Sequence, residues 1–267
     1  MAKIIVSLAQ MQIVPGRPQK NFDLAKEWIR EAVNRGSSLI VLPELWSTSY
    51  DLKNCSKYAP QNARLLDLLS ALAKEYKIWI AGSMILEKHR KFTNTLTVHS
   101  EQGNIGSEYS KVHLFRLMDE HHWLSPGDHL QIASLPIGKT GLAICYDLRF
   151  PEVFRQYALL GATLILLPAE WPLSRVDHWK TLLRARAIEN QMYIIATNCV
   201  GQTEKEIYGG CSAIINPWGE TVIEGTSRDP ALLTAEIDLD QVTTVRQTIP
   251  VFQDRRPDLY VVKNHPE

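Results

Sequence analysis

"RGSSLIVLPELW", Arg35 to Trp46, and "LGATLILLPAEW", Leu160 to Trp171, are two versions of one pattern. Each runs from a helix end through a glycine into an apolar strand, then to proline and an acidic residue. Runs of this length, with glycine before and proline after, read as strands buried on both faces. The stretch before the first copy carries Phe22, Ala25, Ile29, Ala32 and Val33 at helical spacing, with Gly36 placed to end the helix. Before the second copy, Pro151 and Glu152 suit a helix start, Val153, Phe154, Tyr157 and Leu160 its buried stripe, and Gly161 its stop. The chain therefore reads as α/β and as two related halves. Two halves, each a sheet with helices on one side, bury their bare faces by stacking sheet on sheet, which gives helix, sheet, sheet, helix.

Other apolar runs fit this scheme: "KIIVSLAQ", "IWIAGSM", "NTLTVHS", "GLAICYD", "YIIATNCVG", "CSAIINPWG" and "LLTAEID" all read as strands. Nothing rich in Gly, Ser or Pro divides the 267 residues, so residues 1–267 are expected to form a single domain. With 29 basic and 29 acidic residues, and no basic run longer than "KHRK" at Lys88 to Lys91, a nucleic-acid partner is not expected. The opening "MAKIIVSLAQMQIV" is interrupted by Gln10 and Gln12 and reads as a strand, not a signal peptide. No apolar run approaches the roughly 18 residues of a membrane span, so a cytoplasmic protein without a membrane partner is expected. Cys55, Cys145, Cys199 and Cys211 lie far apart without CxxC spacing, which argues against a zinc site or a disulfide framework.

Polar residues at the ends of buried strands are where α/β proteins place their chemistry, and here Glu44, Cys145 and Glu170 occupy such ends. Cys145 closes "GLAIC" just before a helix start, a place that favours a thiolate. A lone cysteine is ordinarily a small buried hydrophobe, but the adjoining "YDLR" is not what apolar packing requires. The N–H of Tyr146 is placed to serve an oxyanion formed at a carbon attached to the sulfur. A nucleophilic thiol needs a base. The histidines offer no strand-end candidate and no HExxH spacing, whereas Glu44 closes "LIVLPE" on a buried strand, where partial desolvation strengthens a carboxylate as a base. Lys111, in "EYSKVHLF", reads singly as a surface residue. GxSxG, Walker A and GxGxxG signatures do not occur.

Together, "LPELW" with Glu44, "YSKVHLF" with Lys111 and "AICYDLRFPE" with Cys145 closely resemble the nitrilase superfamily of carbon–nitrogen hydrolases. The likeness runs from "AQMQIVPGRPQKNFD" through "RARAIENQMYIIATN" to "INPWGE", nearly the whole chain. It implies a four-layer α-β-β-α sandwich of two stacked mixed sheets, a homodimer or larger homo-oligomer, and no metal or organic cofactor. It places the family's catalytic Glu, Lys and Cys on Glu44, Lys111 and Cys145. A second glutamate falls on Glu120, six residues before the proline of the turn Pro126-Gly127-Asp128.

"CYDLRFPE" resembles the amidase and carbamoylase side of the superfamily, so a small-molecule amide is the expected substrate. Arg149 matches an arginine that contacts the substrate carboxylate in carbamoylases, although these carry two adjacent arginines where this chain has Leu148 first. "LPELWSTSYDL" and "LPAEWP" resemble ω-amidases acting on 2-oxoglutaramate and related monoamides. On that reading Glu170 and Trp171 line the pocket, while Trp46 is either wall or core and Cys199 is packing. The alternatives are an N-carbamoyl amino acid amidohydrolase and, from another class, an idle scaffold on the same fold. The closing "VRQTIPVFQDRRPDLY" resembles a segment that in relatives packs along a partner subunit.

Overall fold

A computed structural model of the chain describes residues 3–135, 137–203 and 206–260. The expected domain of residues 1–267 thus includes residues 1, 2 and 261–267, which lie outside the described residues. The first half runs β1 (Lys3–Gln10), α1 (Pro18–Asn34), β2 (Leu39–Val41), α2 (Cys55–Tyr76), β3 (Trp79–Lys88), β4 (Lys91–His99) and β5 (Ile105–Ser110). A connection containing the single turn α3 (Glu120–Trp123) leads to β6 (Ile132–Leu135), β7 (Gly138–Leu142), α4 (Pro151–Leu159), β8 (Leu164–Ala169), α5 (Val176–Asn190) and β9 (Tyr193–Asn198). A small hairpin, β10 (Val200–Gln202) and β11 (Ile207–Gly209), precedes β12 (Ala213–Ile215), β13 (Thr221–Glu224), β14 (Ala231–Asp238) and α6 (Asp240–Thr248).

The repeat in the sequence is a repeat in topology. One sheet has the order β14-β1-β2-β3-β4-β5 and the other β6-β7-β8-β9-β12-β13. In each, the second, third and fourth strands are parallel and the outer pairs antiparallel. The helices α1 and α2 cover the first sheet, and α4 and α5 the second. Strand alternation sorts the side chains. Leu39 and Val41 join the core between the sheets, while Ile40 and Leu42 join the core under α1 and α2. Burial on both faces is why these strands read as unbroken apolar runs, and each fully buried aliphatic side chain contributes about 1.5–3 kcal/mol.

One detail differs from the sequence reading. Leu160 was expected in the buried stripe of α4, but the helix ends at Leu159, and Leu160 is 56% exposed. Gly161, at φ +89°, turns the chain toward β8, and Ala158 packs in its place. The closing segment lies against its own chain: Gln191 donates to the carbonyl of Ile249, and the guanidinium groups of Arg155 and Arg246 both lie over Phe252.

Candidate active site

The carboxyl ends of the central parallel strands converge where the two sheets meet. β2 delivers Glu44, β8 delivers Glu170 and β7 leads to Cys145, while the antiparallel β5 ends just before Lys111. The repeats themselves touch here. Aligning them sets Glu44 opposite Ala169, and the Glu44 N–H donates to the Ala169 carbonyl at 3.4 Å. The next residue, Glu170, donates its N–H to Glu44 Oε2 at 2.9 Å.

Glu44, Lys111, Glu120 and Cys145 are all buried. Lys111 Nζ lies 2.8 Å from Glu44 Oε1 and 2.8 Å from Glu120 Oε1. The Tyr50 hydroxyl lies 3.0 Å from each of the same two oxygens, with one proton to give to either, and Asn94 Nδ2 donates to Glu44 Oε1 at 2.7 Å. Burial alone would lower the Lys111 pKa, but the Glu120 and Glu44 carboxylates outweigh it and hold the ammonium charged. Burial pushes the Glu120 carboxyl up, against the pull of Lys111.

Cys145 sits at φ +43°, left-handed backbone that costs a non-glycine residue about 1–2 kcal/mol. It opens a 3-10 turn, Cys145–Arg149, pinned by Asp147. The buried Asp147 carboxylate accepts from the Ile144 N–H at 2.9 Å, the Tyr109 hydroxyl at 2.7 Å and the His113 N–H at 3.1 Å. The turn that presents the thiol is thereby tied to the segment that carries Lys111. A thiolate was expected from the helix start. Instead burial, and next the Glu44 charge, push the Cys145 thiol up. α4 begins only at Pro151, too far along to offset the desolvation.

A narrow pocket opens onto Cys145, with Phe115, Tyr146, Arg149, Glu170, Trp171 and Arg175 in its walls. Tyr146 is half-buried, its ring 4.8 Å from that of Phe115. The Trp171 ring is tilted against that of Trp179, with centroids 5.4 Å apart, and the Arg149 guanidinium lies over the Trp171 ring, 4.7 Å from its centroid. Glu170 is buried with Oε2 accepting from Ser49 Oγ at 2.7 Å, while Oε1 has no partner among the described residues. Burial pushes its carboxyl well up. Trp46 packs in the core under α1 and α2, against Gly82, and Cys199 joins the same core. Beyond Tyr50 and Tyr208 lies a larger cleft of about 510 Å³. Among the described residues, no group of three His, Cys, Asp or Glu side chains is arranged to hold a metal.

Sequence reasoning did not single out Tyr50, Asn94, Asp147 or Arg175. Asp147 carried a signal, as an acid two residues after the cysteine, but its partners Tyr109 and His113 are distant in sequence.

A buried Glu, Lys and Cys at the meeting edge of two stacked mixed sheets is the architecture of the nitrilase superfamily. Residues 5–247 match the carbon–nitrogen hydrolase family, and the chain belongs to it. It is 43% identical over 260 residues to the 2-oxoglutaramate amidase of Bacillus subtilis (strain 168), covering 97% of this chain and all of that one. It is 35% identical over 275 residues to omega-amidase NIT2 of Homo sapiens, covering 98% and 99% of the two chains. The solved structure of an amidase from Nesterenkonia sp. AN1, with the acetamide moiety of fluoroacetamide added covalently at its active-site cysteine, superposes with a TM-score of 0.86. It is 26% identical, and the match covers 96% of this chain and 95% of that one.

Proposed function

We propose that this protein is a cysteine-dependent amidase that releases ammonia from a small carboxylate-bearing amide, with 2-oxoglutaramate-like monoamides as substrates. The observation that carries the reading is the buried Lys111 ammonium held between Glu44 and Glu120, with the buried Cys145 thiol within electrostatic reach of all three. The names of the relatives support the substrate class.

In this mechanism the neutral thiol gives its proton to Glu44 as Sγ attacks the amide carbon. The carbonyl electrons move to oxygen, where the Lys111 ammonium and the Tyr146 N–H stabilise the oxyanion. As the tetrahedral intermediate collapses, Glu44 passes the proton to nitrogen, the C–N bond breaks and ammonia leaves. Glu44 then takes a proton from water, whose oxygen attacks the thioester, and the carboxylic acid departs as the thiol is restored. Glu120 and Tyr50 hold Lys111. Trp171 and Glu170 wall the amide, and the Arg149 guanidinium binds the distant carboxylate.

We read the chain as a cytoplasmic protein. All four cysteines are unpaired and buried, and among the described residues no helix is long and apolar enough to cross a membrane. We also read it as a homo-oligomer assembled through the α4 and α5 layer, where Leu159, Leu160 and Ile188 are exposed.

The test is ammonia release from 2-oxoglutaramate, an N-carbamoyl amino acid and a simple aliphatic amide, by wild type and Cys145→Ala. Release from 2-oxoglutaramate, abolished in the variant, is expected. Carbon dioxide and ammonia released from the carbamoyl compound, with no ammonia released from 2-oxoglutaramate, would replace this reading with the carbamoylase one. A variant as active as wild type would overturn the mechanism.

A further inference from the structure

We propose that Arg175 is a specificity residue, forming with Arg149 a two-guanidinium clamp for the free carboxylate of the amide substrate. This deepens the amidase reading and rests on it. The two arginines come from neighbouring strand ends: Arg149 from the turn after β7, Arg175 from the loop after β8. Both line the pocket that opens onto Cys145.

Each guanidinium is parked on an aromatic wall. Arg149 lies 4.7 Å from the Trp171 ring centroid, and Arg175 lies 5.7 Å from that of Phe115. A guanidinium over an aromatic ring keeps its charge and its forked N–H donors available to a carboxylate. Neither has a committed partner of that kind. Among the described residues Arg149 pairs with no carboxylate, and its nearest polar neighbour is His178 Nδ1 at 3.5 Å. Arg175 reaches Glu206 through one contact of 3.6 Å, longer than a hydrogen bond and not bidentate. Its backbone is fixed independently of the side chain, since Trp171 Nε1 donates to the Arg175 carbonyl at 2.7 Å and the Arg175 N–H donates to the Pro172 carbonyl at 3.1 Å.

The charge balance favours an anion. The acidic residue in the pocket wall, Glu170, is itself buried, and burial pushes its carboxyl well up, which disfavours its charged form. Two cations therefore face a cavity that reaches the nucleophile. The residue beside Arg149 on the cysteine side, Leu148, is buried with its carbonyl bound by Arg186, so that position offers no second guanidinium. Arg175 supplies the second guanidinium from another strand end.

The experiment compares wild type, Arg175→Gln, Arg175→Lys and Glu206→Gln on 2-oxoglutaramate and on pentanamide, an uncharged amide of equal chain length. Arg175→Gln is expected to raise KM for 2-oxoglutaramate about tenfold or more with kcat nearly unchanged, and to leave kcat/KM for pentanamide as it was. Arg175→Lys should recover part of the loss, and Glu206→Gln should leave KM unchanged or lower it. If Arg175→Gln affects both substrates equally or neither, or if Glu206→Gln reproduces its loss, Arg175 serves its ion pair and the clamp is wrong. A wild type that hydrolyses pentanamide but not 2-oxoglutaramate overturns the substrate reading as well, whereas normal 2-oxoglutaramate turnover unmoved by Arg175→Gln overturns the clamp alone.

Discussion

The φ of +43° at Cys145 is held by groups that do not touch the thiol, and Asp147 gathers most of them. Asparagine in its place keeps the shape but turns one acceptor into a donor, which would then face the N–H of Ile144 or His113. Asp147→Asn is expected to lower kcat about 10²-fold, through misplacement of the nucleophile, and to cost about 1–3 kcal/mol in urea unfolding. An unchanged kcat would show that Asp147 does not position the thiol. Glu170 makes the opposite kind of test. Its folded pKa is raised above the ordinary 4.5, so the native state keeps a proton that the unfolded chain has released, and stability is lost as pH rises above 4.5. Glu170→Gln, neutral throughout, should match wild type near pH 4.5 and exceed it in unfolding free energy by pH 7. An equal pH slope in both proteins would place the Glu170 pKa at its ordinary value. Glu44 and Cys145 were candidates from their strand ends, Lys111 and Glu120 only through the resemblance to a known family, and the structure brings all four together in one buried cluster. Asp147, Tyr50 and Asn94 could not be named, because their meaning lies in partners tens of residues away.

At the scale of elements, legibility followed burial. The strands β1, β2, β3, β8 and β9 lie inside their sheets, covered on both faces, and their apolar runs stand out. Of the four edge strands only β14, eight residues long, stood out; β5 and β6 are shorter, and β13 alternates half-buried and exposed along its whole length. The hairpin of β10 and β11 is shorter still, three residues a strand. β7 carries the most direct mechanical link to the site, since it leads into the Cys145 turn. Gly141 is needed there for space and not for φ. A Cβ at this position would come within 2.5 Å of Ile165 Cδ1 and 2.7 Å of Tyr157 Cγ, which belong to β8 and α4. Gly141→Ala is therefore expected to lower stability by about 1–3 kcal/mol, and to reduce kcat as β7 is pushed away from α4. A thermal unfolding midpoint equal to wild type would mean that the side chains yield without cost.

For the whole molecule, the duplicated topology explains why the site lies where it does. Each half buries one sheet face under its helices and the other against its counterpart, so the strand ends of both halves meet, and Glu44 and Glu170 arrive there from opposite sheets. The sequence made this readable through one twelve-residue similarity, but the outer surface left no comparable trace. On that surface the α4 and α5 layer exposes Leu159 at 41%, Leu160 at 56% and Ile188 at 54%, with Trp218 at 43% in the turn after β12, whose Gly219 packs against Ile188. Solvent-facing apolar groups in one layer are what a two-fold interface would cover, and symmetry would bring each substituted position near its own copy or that of a neighbour. The double variant Leu160→Glu, Ile188→Glu would place like charges across such an interface and should sediment as single protomers where the wild type sediments as a dimer or larger. The Cys145 cluster is assembled within one chain, so the variant's kcat should stay within about twofold of wild type. A wild type that sediments as a monomer, or a double variant that stays assembled, would move the interface away from these helices.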